Sequence, residues 1–126
     1  MKKTTKAIED YLEAIVILEN NREPVQSTKI AQFLHVSKPA VAQAMKELLE
    51  LKYIQKVPHG EISLTPQGRT IATKTYNKHK LLKKFLVYIG VSDKVAEHDC
   101  CLIEHVISNE TIKKIEDFLE SKENEN

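Results

Sequence analysis

The sequence is sparing with several residue types, and each shortage excludes something. It has two cysteines, and they are adjacent, Cys100 and Cys101. Neighbours on a helix cannot bridge without strain, so they read as reduced thiols in a reducing compartment. There are three glycines, at turns or a helix end, and no nucleophile motif, which leaves nothing to cradle a phosphate and argues against a small metalloenzyme. No run of about 18 apolar residues occurs, so no membrane span is expected. Behind Met1-Lys2-Lys3-Thr4-Thr5 the apolar residues Ile8 to Leu18 are broken by Glu9, Asp10 and Glu13. That is not a signal peptide, and a cytoplasmic location is the expectation. Repeats and linkers are also missing.

What is present is an ordinary charged globular composition, 41% hydrophobic and 29% charged, with a net charge of only +1. The charge is unevenly spread. Up to residue 79 there are 12 Lys and Arg against 8 Asp and Glu; from residue 80 there are 7 against 10. A basic front and an acidic back suit a nucleic-acid lobe joined to a lobe of another purpose.

Apolar periodicity and capping residues divide the chain into elements. A first helix runs from Thr4 or Thr5 to about Asn20, and a short second from Ser27-Thr28 to Leu34. After the tight His35-Val36-Ser37 connection, Ser37 caps a third helix to about Leu51, with Pro39 in its first turn. Tyr53–Val57 and Glu61–Leu64 read as strands joined at Pro58-His59-Gly60. Thr65 and Pro66 open a long fourth helix to about Ile89, where Gly90 ends it. A fifth helix runs from Ser92 or Asp93 to about Ile107 and a sixth from Ser108 to about Leu119. The last stretch, Ser121 to Asn126, looks frayed. The fold expected is mainly α: a winged helix-turn-helix with a small β-hairpin wing, then an all-α dimerisation lobe. The division falls at residues 1–75 and 76–126.

Helix, tight turn, capped helix and hairpin is an order that reads DNA. A major groove admits one α-helix, and the preceding helix braces it. Ala31 is small where the two helices cross, while Ile30, Leu34, Val41, Met45 and Leu48 supply the packing face. Lys38, Gln43, Lys46 and Glu47 are left outward, with Ser37 and Pro39 at the leading tip. Gln43 can pair with adenine, and Pro39 and Ala40 can touch a thymine methyl. Ser27, Thr28, Ser37 and Lys46 suit phosphate oxygens. His59 and Lys56 can set the wing on the backbone or minor groove. The bland alternative is a solvated polar face on a helical bundle.

Ligand-type residues form a second pattern. Asp10 and Glu13 share a face of the first helix. His79 lies midway along the fourth. Cys101, Glu104 and His105 share a face of the fifth, and His98 extends that stripe by one turn. Carboxylates with imidazole suit Mn(II) or Fe(II), and a thiolate shifts the preference toward Fe(II), Zn(II) or Co(II). A structural zinc site would normally show more cysteines. Taken singly, these residues also fit a solvated acidic face, a hydrogen-bonded histidine and a small core cysteine.

Together these residues resemble the iron-dependent, diphtheria-toxin-repressor-like family, in particular its short manganese transport regulator branch. The likeness rests on Ile8–Ile15, Val36–Val41, Leu64–Arg69, His79–Leu86 and Cys101–Ser108, and spans about Thr5 to Leu119. It implies a homodimeric repressor of metal-uptake genes, in which Mn(II) or Fe(II) binds between the two lobes and promotes operator binding. The manganese branch's ligands fall on Asp10, Glu13, His79, Glu104 and His105. The remaining position, usually Glu there, is Cys101, as in the iron branch, where the place of Asp10 is usually Met. The ligand set is therefore a hybrid. The iron branch's ancillary positions hold Lys83 and Glu97, so that second site is expected to be absent, with His98 near enough to substitute. The sequence stops at Asn126, so the SH3-like third domain of longer members is not expected. The competing functional reading is a metal-independent or thiol-redox-sensing winged-helix regulator.

Overall fold

The computed structural model of the chain describes residues 4–56 and 60–125. In order the elements are α1 (Lys6–Asn20), α2 (Ser27–Leu34), α3 (Lys38–Glu50), β1 (Ile54–Lys56), β2 (Ile62–Leu64), α4 (Pro66–Tyr88), α5 (Asp93–Ile103) and α6 (Asn109–Glu123). The chain divides into two compact units, one ending at Tyr76 and one beginning at Asn77, with α4 contributing residues to both.

In the first unit local chemistry sets each helix start. Thr5 Oγ accepts from the Ile8 N–H at 3.2 Å, and Ser37 Oγ from the Ala40 N–H at 3.2 Å. These side chains satisfy backbone donors that have no partner within the helix. Between α2 and α3 the chain turns through His35, whose φ of 57° is left-handed, and its N–H closes on the Ala31 carbonyl. Ile30, Val41, Met45 and Leu48 are buried with Leu12, Ile15 and Leu18 of α1 in one core, and Ala31 is buried too. Leu34 packs against that core half-buried.

The strands pair antiparallel, Ile54 opposite Leu64 and Lys56 opposite Ile62. Ile54, Ile62 and Leu64 cap the core, while Gln55 and Lys56 face solvent. Among the described residues, Tyr53 and Glu61, expected in the strands, form no ladder pair. Residues 57–59 lie outside the described part of the chain. Thr65 ties the hairpin to α4: its hydroxyl donates to the Lys52 carbonyl at 2.7 Å and accepts from the Gly68 N–H at 3.1 Å. Gly68 is required there, since a Cβ would lie 1.9 Å from the Tyr53 carbonyl oxygen.

The second unit is α4 from Asn77, α5 and α6. Gly90, at φ 104°, ends α4, and the Val91 N–H reaches back to the Leu86 carbonyl at 2.9 Å. Ser92 and Ser108 cap the two following helices through Val95 and Thr111. Two sequence expectations need correction. Helix α5 stops at Ile103, four residues early, because Glu104 begins a turn that Ser108, as the next cap, closes. Helix α6 continues to Glu123, so Ser121 is helical and not frayed; its hydroxyl donates to the Phe118 carbonyl at 2.8 Å. Leu82, Ala96, Cys100 and Leu119 are buried, whereas Tyr88, Ile89, Val95, Leu102 and Val106 are exposed. Among the described residues no helix is long and apolar enough to cross a membrane.

Candidate metal centre and nucleic-acid interface

On α1, Asp10 and Glu13 lie three residues apart. Asp10 accepts from Lys6 Nζ at 2.7 Å and is partly exposed. Glu13 is buried, in an unbroken buried run from Leu12 to Val16. A carboxylate in such surroundings costs several kcal/mol unless a positive charge or donors compensate it.

In the second unit the side chains gather on His79, which is buried on α4. Its Nδ1 lies 3.0 Å from Glu104 Oε2, and its Nε2 lies 3.0 Å from Glu97 Oε1. Cys100 Sγ stands 3.6 Å from each ring nitrogen, and Cys101 Sγ 3.8 Å from Nδ1. One donor each from His79, Cys100 and Cys101 falls within a 4.8 Å span. Glu104 is 2% exposed, and its Oε1 has no hydrogen bond among the described residues, although His105 Nε2 approaches it to 3.3 Å. Carboxylate, imidazole and thiol side chains gathered around one buried histidine are donors that a divalent transition-metal ion takes. The residues fit such an ion.

Burial pushes the Cys100 thiol up to about 12, and the charges of Cys101, Glu97 and Glu104 act in the same direction. Partial burial acts to raise the Glu97 carboxyl, but His79 and Lys83 outweigh it and hold it below the usual carboxylate range.

Sequence reasoning placed His79, Cys101, Glu104 and His105 together, and the second unit brings His79, Cys101 and Glu104 to one point with His105 beside Glu104. It left the part of Cys100 open and gave Glu97 no ligand role. The signal was there: residues 97, 100, 101 and 104 follow the three-and-four spacing of one helical stripe. His98 does not extend that stripe. It is one position off, with its side chain 75% exposed against Asp99. Lys83 and Glu97, at the positions of the iron branch's ancillary ligands, form an ion pair at 3.2 Å, with Asp93 3.6 Å from the same ammonium.

The nucleic-acid face lies on the first unit. Lys38, Pro39, Ala40, Gln43 and Lys46 are all exposed on α3, opposite buried Val41, Met45 and Leu48. Ser37 is exposed at the helix cap, with its hydroxyl hydrogen free to donate outward. Ser27 and Thr28 are exposed in the first turn of α2, which has no side-chain cap. Open N–H groups at a helix start attract anions. His59, assigned to the wing, lies outside the described residues.

Two family models match, the N-terminal DNA-binding domain of the iron-dependent repressors over residues 3–61 and their metal-binding and dimerisation domain over 65–125. The chain belongs to the iron-dependent repressor family. An uncharacterized HTH-type transcriptional regulator of Methanocaldococcus jannaschii is 38% identical over 119 residues, 92% of this chain and 94% of the relative. The transcriptional regulator MntR of Salmonella typhimurium is 35% identical over 105 residues, 83% of this chain and 67% of the relative. Among solved structures, that of the manganese regulator SloR superimposes with a TM-score of 0.81 at 28% identity over 95% of this chain. This repressor-family chain spans 55% of that one, about half its length. Its relatives are transcriptional regulators, and the winged helix followed by an all-helical lobe is the family architecture.

Proposed function

We propose that this chain represses transcription in the cytoplasm, binding operator DNA as a homodimer when loaded with Mn(II) or Fe(II), and that it controls metal-uptake genes. Residues 1–75 would bind DNA and residues 76–126 would bind metal and dimerise. The observation that carries the reading is His79 packed against Glu104 and Cys101, with a buried Glu104 oxygen left without a hydrogen-bond donor, in a family of metal-binding repressors.

Asp10, Glu13, His79, Cys101, Glu104 and His105 would hold the cation. A bound divalent ion would add positive charge beside the buried Glu104. The five carboxylate and imidazole side chains suit Mn(II) or Fe(II), and the one sulfur tilts the set toward Fe(II). The exposed Tyr88, Ile89, Val95, Leu102 and Val106 support dimerisation through the second unit, since this much apolar side chain is seldom left to solvent on a monomer. A dimer also offers two recognition helices for two half-sites, each reading through Pro39, Ala40 and Gln43 and gripping phosphates through Ser27, Thr28, Ser37, Lys38 and Lys46, with His59 on the wing.

The test is operator binding by the full chain with Mn(II), with Fe(II) under anaerobic conditions, and in chelator, alongside sedimentation with metal present. Metal-stimulated binding by a dimer is expected. Equal binding in chelator, or a monomer at micromolar concentration, overturns the reading.

A further inference from the structure

The second unit carries more sulfur around His79 than the proposed ligand set uses. Measured from His79 Nδ1, Glu104 Oε2 is at 3.0 Å, Cys100 Sγ at 3.6 Å and Cys101 Sγ at 3.8 Å. Tetrahedral coordination with metal–sulfur bonds of about 2.3 Å and metal–nitrogen bonds of about 2.0–2.1 Å requires nitrogen and sulfur donors about 3.5 Å apart. The two thiols already stand near that separation from one imidazole nitrogen. His79 comes from α4 and both cysteines from α5, so the cluster lies within one unit.

The other face of the ring supports the assignment. Glu97 sits 3.0 Å from His79 Nε2 and is itself held by Lys83 at 3.2 Å. A metal-ligating histidine nearly always gives its second ring N–H to a carboxylate, which fixes the tautomer and aims the free lone pair at the metal. Glu97 takes that place at Nε2, which leaves Nδ1, 3.6 Å from Cys100 Sγ and 3.8 Å from Cys101 Sγ, for the ion.

We infer that His79, Cys100 and Cys101 form a thiolate-rich cation site that takes a thiophilic divalent ion of the Zn(II), Co(II) or Cd(II) class. The inference rests on the reading above in sharing His79 and Cys101, and adds Cys100. Each thiol that ligates gives its proton to the buffer and forms one sulfur–metal bond, with no change of oxidation state. Because His79 and Cys101 serve both donor sets, an ion held here competes with the hard cation for them. The chain then discriminates among metals by which set is filled.

Cobalt(II) tests this in the full, reduced chain under anaerobic conditions. The wild type is expected to show the strong absorption of tetrahedral cobalt, with sulfur-to-metal charge transfer at the intensity of two thiolates. Cys100→Ala and Cys101→Ala should each halve that intensity, and Cys100→Ala should weaken Zn(II) binding at least about tenfold, the low end of the loss from removing even an outer partner of a ligand. X-ray absorption of the Zn(II)-loaded wild type gives the sulfur count without any substitution, so a misfolded variant does not decide the matter. Two sulfurs support the site. One sulfur, or cobalt spectra that superimpose for wild type and Cys100→Ala, overturns it. Neither readout involves DNA, so a two-sulfur site in a chain that binds its operator equally well in chelator would sink the repressor reading alone.

Discussion

Glu97 and Lys83 are paired 3.2 Å apart directly behind the Nε2 edge of His79, so a lysine ammonium anchors the carboxylate that orients the histidine. Without Lys83, Glu97 keeps its reach to His79 but loses the partner that holds it in place. Lys83→Met is expected to lower Mn(II) affinity about 10–100-fold, the usual cost of disturbing a group that supports a metal ligand. Lys83→Arg should restore most of it. Titration calorimetry at fixed pH measures both; wild-type affinity in Lys83→Met would make the ion pair a surface feature only.

Gly68 is a packing requirement of the hairpin-to-α4 junction. A methyl group placed there meets the Tyr53 carbonyl oxygen at 1.9 Å, a backbone atom that also accepts from the Thr65 N–H. The two segments must separate to admit it. Gly68→Ala should therefore destabilise the protein by on the order of 1–3 kcal/mol, the range for overpacked sites, even though Ala favours helix more than Gly does. Urea unfolding decides this, and an unchanged midpoint would show that the junction yields.

The two neighbouring cysteines should behave differently toward an alkylating agent. Cys100 is fully buried and its thiol is pushed up to about 12, while Cys101 is partly exposed. The thiolate is the reactive form, so at pH 8 almost none of Cys100 is reactive even where reagent reaches it. Native metal-free protein is expected to take one label, on Cys101, with the second added only after denaturation. Rapid double labelling of folded protein, read by mass spectrometry, would contradict the burial of Cys100.

Gln43 and Lys46 share the exposed side of α3 and should differ in what their loss does. Gln43→Ala is expected to cost about 1–3 kcal/mol on the operator and to relax preference at one base pair. Lys46→Ala should weaken all sequences alike and lower the salt slope by about 1. Equal loss on operator and random DNA for Gln43→Ala would remove it from base reading.

Much of this was legible in the sequence, for reasons visible in particular residues. Thr5, Ser37, Thr65, Ser92 and Ser108 each accept a backbone N–H at a helix start, and caps of this kind are local chemistry. The apolar rhythm of Val41, Met45 and Leu48 likewise needed no tertiary information. What escaped was set by packing. The end of α5 depends on Glu104 turning toward His79, 25 residues earlier in the chain. Cys100 reads as a core thiol and Glu97 as a surface charge until α4 is laid beside α5. His98 looks the better ligand by residue type, yet the helix points it away.

Glu13 is the sharpest probe of metal gating. Glu13 is buried on α1, in the unit that carries the recognition helix, whereas His79, Glu104 and His105 belong to the other unit. If one cation draws ligands from both, as proposed, its binding restricts the arrangements a dimer's two recognition helices can take. Half-sites one helical turn apart require separations of about 34–36 Å, so the arrangement matters. Reciprocity then demands that operator DNA tighten metal binding by the same factor that metal tightens DNA binding, typically about 1–3 kcal/mol of coupling. Glu13→Ala shortens one buried side chain of α1, and thermal unfolding of the metal-free variant checks that the first unit keeps its fold. His105→Ala removes a ligand from the second unit. Both are expected to remain dimeric and to lose metal-stimulated operator binding, while Cys101→Glu keeps activation and moves preference toward Mn(II), because a hard donor replaces a soft one. Operator affinity with and without Mn(II) for the wild type and Glu13→Ala is the deciding comparison. Should Glu13→Ala respond to metal as strongly as the wild type, α1 contributes no ligand, and metal bound within the second unit alone must account for any activation.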